Sequence, residues 1–219
     1  MLFRPRCQRV GRITVFILYT MALAIFKAPH DILLLQTSQG CFTYCGWLKA
    51  KKSQSIISSY HLHLPNESNS IFKPTFGNDI INLEKDCFVI GRDCSITDKN
   101  TILLVVTRLK NYFNGQEISL SGIPYHLEGT PFQKKVWQEI ARIPFSSLMT
   151  YARLASEAGM PHGYRAVAGA CGANQLSIFI PCHRVVGSNS KIGGYAGGIE
   201  IKHYLLAHEQ KFSSAFNQI

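Results

Sequence analysis

Nine consecutive residues, Ile178-Phe179-Ile180-Pro181-Cys182-His183-Arg184-Val185-Val186, limit the fold of this chain more tightly than any other stretch. The apolar start, two of its three residues β-branched, reads as a short buried strand. Pro181 fixes φ and lacks an N–H, so it ends that strand and presents the next side chain at a turn. That side chain is a cysteine, followed at once by an imidazole and a guanidinium. A thiol attacks as its thiolate, and a nearby base or positive charge raises the thiolate fraction. Taken alone, Cys182 is either such a nucleophile or a small buried hydrophobe.

The 219 residues are 46% hydrophobic and 16% charged, which marks a globular chain long enough for one large domain or two small ones. The net charge of +10 is unevenly spread. Residues 1–28 carry five basic side chains and no acid, and residues 29–128 balance nine against nine. Residues 129–219 hold nine basic and four acidic groups, so the folded excess accompanies Cys182. A polyanionic partner or a solvated basic face would each account for it. Seven cysteines, scattered and odd in number, fit a reducing compartment better than a disulfide framework. Cys41-x3-Cys45 and Cys87-x6-Cys94 lack a second ligand pair, so no zinc site is read from them.

Arg4 to Arg12 followed by the apolar run Ile13–Phe26 has the form of a signal peptide, with Ala22-Leu23-Ala24 as a small-x-small cleavage site. The run's 14 residues are too few to span a bilayer, which takes about 20. The preferred alternative starts the protein at Met21 and leaves residues 1–20 as an uncertain leader or mis-assigned start. The first strand begins within a few residues of Met21, and cleavage after Ala24 would leave it almost no lead-in. A cytoplasmic location, with no membrane partner, follows from that choice.

Residues 22–27, 32–37 and 41–48 are strand-like and joined by turns, which predicts a small antiparallel sheet. Residues 50–98 are poorly patterned, and His61 and His63 there read as surface histidines. Residues 101–114 return to helical period, with Ile102, Val105, Val106, Leu109, Tyr112 and Phe113 on one face and Asn114-Gly115 as the stop. Thr130-Pro131 opens another helix, whose buried stripe is Phe132, Val136, Trp137 and Ile140. The domain boundary is placed near 125: an N-terminal α/β domain over 21–125 and a C-terminal domain over 126–219.

Thr150 N-caps a helix over 151–158, residues 159–163 make a Gly- and Pro-containing turn, and a second helix covers 164–173. Six of that second helix's ten residues are Ala or Gly. Helix, tight turn, helix is the pattern of a DNA-binding helix-turn-helix, although small residues also permit close helix packing. Arg165 favours the former, because a long cation beside small side chains lets the backbone approach a groove while one finger reaches in.

Together these segments resemble the O6-alkylguanine-DNA alkyltransferases, also called methylated-DNA–protein-cysteine methyltransferases. The markers are Gly129-Thr130-Pro131-Phe132-Gln133, Thr150-Tyr151-x-x-Leu154-Ala155, Arg165-Ala166-Val167, Asn174, Ile180 to Val186, Gly193-Gly194-Tyr195-x-Gly197-Gly198 and Leu205-Leu206-Ala207-His208-Glu209. The resemblance is specific over 101–212 and looser over 22–100. It implies an α/β (α+β) protein of two domains, a small N-terminal sheet with a flanking helix and a mainly helical C-terminal domain carrying the helix-turn-helix. It also implies single-turnover transfer of an alkyl group from O6-alkylguanine to Cys182, on a monomer that flips the damaged base from the minor groove of double-stranded DNA. His183 would be the base acting through a water and Glu209 its orienting partner. Asn174 would brace the cysteine turn, and Tyr151 would help turn the phosphate and donate a proton toward the leaving guanine. DNA contacts fall to Arg165, Tyr151, Ala166, Gly169 and Ser188, and the pocket to Tyr195, Ala196, Val185 and Lys202. No cofactor or metal is implied.

Three positions depart from the family's usual residues. Ser146 stands where Gly is usual, Gln175 where Pro follows Asn174, and Ser177 two residues later. A pocket less rimmed by proline is expected to bear on bulky alkyl groups rather than on methyl transfer. The zinc ligands of some relatives have no match. Two other functions fit parts of the pattern. A DNA-binding damage sensor would keep Arg165 but replace Cys182, and a Cys-His hydrolase would need an oxyanion hole that the sequence does not display.

Overall fold

A computed structural model describes residues 8–10, 13–15, 21–59, 80–84, 87–90 and 95–216. Most of the leader, His61, His63 and Cys94 lie outside the described residues. The fold is mixed α/β, with a small antiparallel sheet preceding a helical C-terminal region.

Among the described residues, strands β1 (Gln8–Val10) and β2 (Ile13–Val15) pair only with each other. The main sheet contains β3 (Met21–Lys27), β4 (Ile32–Ser38) and β5 (Cys41–Trp47) in the places the sequence predicts. Helix α1 (Lys51–Ser59) and strands β6 (Ile80–Glu84) and β7 (Cys87–Ile90) come from the poorly patterned stretch. The sheet order is β5-β4-β3-β7-β6, antiparallel throughout, so the predicted three strands are joined by two more on the far side of β3.

The β4–β5 hairpin turns on Gln39 and Gly40, both with positive φ as a tight two-residue turn requires. Helix α2 (Ile96–Phe113) grips that turn. The buried Asp98 carboxylate accepts the Gly40 N–H at 2.9 Å, and the Thr101 hydroxyl donates to the Gly40 carbonyl at 2.7 Å. The helix begins five residues before the predicted start, because Ser95 caps it by accepting from the Asp98 N–H. Its stripe Ile102, Val105, Val106, Leu109 and Tyr112 is buried in one core with Ala24, Phe26, Leu33 and Leu35 of the sheet.

Helix α3 (Pro131–Ala141) carries the full capping box: Thr130 Oγ1 accepts from the Gln133 N–H, and the Gln133 side chain accepts from the Thr130 N–H. Val136, Trp137 and Ile140 are buried, while Phe132 is half-buried. Strand β8 (Met149–Thr150) leads into α4 (Tyr151–Glu157), and a turn over 158–163 leads into α5 (Tyr164–Gly172). A single 3₁₀ turn at Cys182–Arg184 runs into β9 (Val185–Val186), parallel to β8. The long α6 (Ile199–Phe216) closes the described chain. No helix among the described residues is long and apolar enough to cross a membrane.

The open edge of β5 fastens the sheet to the C-terminal region. Phe42 exchanges backbone hydrogen bonds with Pro124 and His126, and Cys45 exchanges them with Gln175 and Ser177. An edge strand that would otherwise display unpaired groups thereby holds the segment leading to Cys182.

Removing the Thr130 hydroxyl breaks one half of the capping box at an exposed helix start. Thr130→Ala is expected to lower unfolding free energy by about 1 kcal/mol. Urea denaturation measures it, and an unchanged midpoint would show that α3 is held by packing alone.

Candidate active site

Ile178, Phe179 and Ile180 are buried as the sequence predicts, but they form consecutive turns and not a strand. Ile178 takes a left-handed φ of 73°, uncommon and strained for a β-branched residue. A short apolar run does not distinguish a strand from other buried segments, and here the polar groups are satisfied locally. The Ile180 N–H donates to the Leu176 carbonyl at 2.8 Å. Pro181, at φ −79° and ψ 62°, forms an inverse γ-turn in which the Cys182 N–H donates to the Ile180 carbonyl at 2.8 Å.

Asn174 clamps this turn. Its Nδ2 donates to the Ile180 carbonyl at 2.8 Å and to Cys182 Sγ at 3.1 Å, while its Oδ1 accepts from the Leu176 N–H at 3.0 Å. The thiol is 4% exposed, at the wall of a cavity of ≈ 330 Å³ lined by Tyr151, Ala168, Cys171, Gly172, Gly194, Tyr195 and Ala196. Burial pushes the Cys182 thiol up from its ordinary range, and the Asn174 hydrogen bond and the Lys202 ammonium oppose that rise. The sulfur is therefore kept as a thiol, with groups in place that favour its anion.

His183 follows the thiol and is completely buried. Its Nε2 lies 2.7 Å from Glu209 Oε1, which makes Nε2 the protonated nitrogen. Nδ1, the remaining basic nitrogen, has no hydrogen-bond partner among the described residues. Burial lowers the imidazole's pKa, with Glu209 pulling the other way. The Glu209 carboxylate is buried, which alone would raise its pKa, yet His183 and Arg184 hold it down at about 2. Arg184 donates Nε–H to both oxygens, at 3.2 and 3.0 Å, and Nη2–H to Oε1 at 2.9 Å. The Tyr112 hydroxyl adds a bond at 2.8 Å and the Ser146 N–H another at 2.9 Å.

The remaining sequence-predicted residues divide by position. Tyr151, Tyr195 and Ala196 line the cavity, and burial raises the Tyr151 phenol's pKa to about 12. Val185 and Lys202 are buried outside the lining, where Lys202 Nζ donates to the Val185 carbonyl at 2.6 Å. Arg165, Ala166 and Gly169 face outward from α5, with the Arg165 guanidinium 5.9 Å from the Tyr164 ring centre, and Ser188 is exposed. Gln175 and Ser177 do not rim the cavity, contrary to the expectation drawn from the missing prolines. The Gln175 amide is turned to the Glu128 backbone, and the Ser177 side chain offsets part of the rise that burial gives the Tyr195 phenol's pKa. Among the described residues, no three His, Cys, Asp or Glu side chains are grouped as a metal would need.

Residues 131–211 match the model for the DNA-binding domain of 6-O-methylguanine DNA methyltransferase. A methylated-DNA–protein-cysteine methyltransferase of Methanosarcina acetivorans is 42% identical over 189 residues, 86% of this chain and 98% of that one. The Haemophilus influenzae protein of the same name is 44% identical over 158 residues, 71% of this chain and 88% of its own length. The chain belongs to the methylated-DNA–protein-cysteine methyltransferases. The match to the Salmonella typhimurium member, at 45% identity, spans 60% of that protein. A crystal structure of Mycobacterium tuberculosis OGT in complex with DNA superposes with a TM-score of 0.60 at 26% identity, over 86% of this chain and 92% of that one.

Sequence reasoning did not find all of this methyltransferase's site. Arg184 stood in the motif without a role, although a buried guanidinium beside a Cys-His pair demands a carboxylate. Tyr112 was legible only as part of an apolar stripe, and nothing local pairs it with Glu209, 97 residues away. Ser146 takes a φ of 60°, which accounts for the family's usual glycine at that position.

Because Glu209 is held down in the folded state, the unfolded chain binds its proton at higher pH. Its stabilising contribution is complete above the ordinary carboxylate range and is lost as pH falls toward about 2. Urea unfolding from pH 5 to 2 is expected to show a loss on the order of 3 kcal/mol from this group. A Glu209 carboxyl titration by NMR with its midpoint near 4 would contradict the assignment.

Proposed function

We infer that this methyltransferase repairs DNA by moving the alkyl group of O6-alkylguanine, methyl in the first instance, onto its own Cys182. The observation that carries the inference is the buried array Cys182, Asn174, His183 and Glu209 at the wall of a cavity beside α5. Displacement of guanine from a methyl carbon is an SN2 step that needs a soft nucleophile and a protonated leaving group. The Cys182 sulfur forms a bond to the methyl carbon as the carbon–O6 bond breaks. The thiol proton passes through a water to His183 Nδ1, and Glu209 stabilises the imidazolium. Tyr151, kept neutral by its burial, donates toward the departing guanine. The product is a thioether, which no group in the cavity is equipped to hydrolyse, so each molecule acts once.

The O6 position is out of reach inside a duplex, so the base enters the cavity flipped from the stack. We assign the outward face of α5, with Arg165, Ala166 and Gly169, to the minor groove, and the Arg165 side chain to the gap that the flipped base leaves. Ser188 adds a backbone contact. The protein acts as a monomer, and a thiol acceptor requires a reducing compartment, which supports a cytoplasmic location.

Incubation with a duplex carrying O6-methylguanine is expected to add the mass of one methylene to the Cys182 peptide, once per molecule. Cys182→Ala is expected to bind the duplex and gain nothing. Unmodified wild-type protein that still binds would make the chain a sensor, and repeated substrate consumption would end the single-turnover claim. Arg165→Ala is expected to slow transfer from duplex DNA by about tenfold, the worth of one ~1.4 kcal/mol contact, while leaving transfer from the free base unchanged. Equal losses on both substrates would remove Arg165 from the flipping step.

A further inference from the structure

Trp47 ends β5, where the N-terminal sheet meets the loop on one side of the cavity. Its indole is completely buried, and Nε1–H donates to the Tyr195 hydroxyl at 3.1 Å. Two residues on, Gly197 lies against the indole so closely that a Cβ there would stand 2.4 Å from Trp47 Cδ1. Tyr195 itself lines the cavity with Cys182 and stands edge-on to His183, ring centroids 6.4 Å apart and planes at 84°.

The loop's own composition gives it little rigidity. Four of the six residues from 193 to 198 are glycine, the residue with most backbone freedom to lose. A wall built from such a segment would have to be ordered anew each time a base entered, unless a rigid neighbour fixes it beforehand. Trp47 meets that need in two ways. The indole, at its Cδ1 and Cγ, sets how far the Gly197 backbone can approach, and its N–H fixes the place of the phenol in the wall. Neither contact touches the alkyl group, and both come from the domain that carries none of the predicted reacting residues.

We propose that Trp47 is a positioning residue for alkyl transfer: the N-terminal domain fixes, through its indole, the distance of the Tyr195 wall from the Cys182 sulfur. The proposal rests on the transfer reading above and makes the N-terminal domain part of the acceptor pocket.

Trp47→Phe in the full chain keeps an aromatic group, smaller than the indole, and removes the donor. With O6-methylguanine duplex in saturating excess, its single-turnover rate constant is expected to fall about tenfold, the effect of one buried hydrogen bond, with DNA affinity within about twofold. Tyr195→Phe removes the same bond from the other side, leaves the Gly197 contact intact, and is expected to slow transfer by no more than Trp47→Phe does, including where Trp47→Phe fails to fold. The double variant is expected to lose no more than Trp47→Phe alone. Leu23→Ala, buried in the same sheet but remote from the loop, is expected to lower the melting temperature without slowing transfer. Wild-type rates in both single variants, additive losses, or equal slowing by Leu23→Ala would overturn the proposal. Failure of the wild-type protein to acquire a methyl group on Cys182 would instead overturn the transfer reading.

Discussion

The Glu209 carboxylate is the interaction on which the site depends. A buried anion without partners costs several kcal/mol, and this one sits where α2, the α3–β8 loop, the cysteine turn and α6 converge. It accepts from Tyr112 of α2, from the Ser146 N–H of the loop and from His183 and Arg184 of the turn. Arg184 extends the array by donating Nη1–H to the Ile143 carbonyl at 2.6 Å, and its guanidinium lies 5.6 Å from the Phe145 ring centre. A buried ion pair is a poor source of net stability compared with well-packed apolar side chains. Its physical return here is orientation. With Oε1 fixed against Nε2, the imidazole cannot turn and its basic nitrogen is settled. Charge dispersed over the Arg184 fork also leaves Glu209 ionised when the imidazole is neutral.

Positioning of the thiol is a separate matter, handled by backbone. Cys182 sits one γ-turn after a stretch whose Ile180 carbonyl and Leu176 N–H are met by Asn174 and whose entry is bonded to β5 at Cys45. The left-handed Ile178 shows that this path is imposed by its surroundings and not by local preference. The sheet therefore reaches the reaction centre twice, through the Cys45 bridge on one side and the Trp47 indole on the other.

How much of this the sequence disclosed follows from the range of each interaction. The Ser95 and Thr130 caps and the stripe on α2 are local, and only the Thr130 cap and the stripe were legible, because Ser95 lies in a stretch without periodicity. Strands β6 and β7 escaped for the same reason. Cys182, His183 and Glu209 were legible through the family motif, whereas the bonds that bind Tyr112, Ser146 and Trp47 into the site join segments far apart in the chain. The strand expected at Ile178–Ile180 failed because burial and extension were taken together. Apolar character reported the burial correctly, and Asn174, by meeting the Ile180 carbonyl and the Leu176 N–H, together with the Ile180–Leu176 backbone bond, removed the need for a ladder.

Helix α5 shows how the same small residues can mean different things on different faces. At about 100° per residue, Val167, Ala170 and Cys171 turn inward and Ala168, Cys171 and Gly172 turn to the cavity. Arg165, Ala166 and Gly169 are left facing out. The outward and cavity faces adjoin, so a duplex lying along the first stands at the mouth of the second. Smallness on the inward face is explained by packing, as at Ala170, whose carbonyl accepts the Trp137 indole N–H at 2.8 Å. At Gly169 and Gly172 it is not, since a Cβ at either would meet nothing within 4 Å. Their bareness answers to no neighbour among the described residues. On the proposed function, that open space is where the sugar–phosphate backbone would approach one face and the extruded base the other.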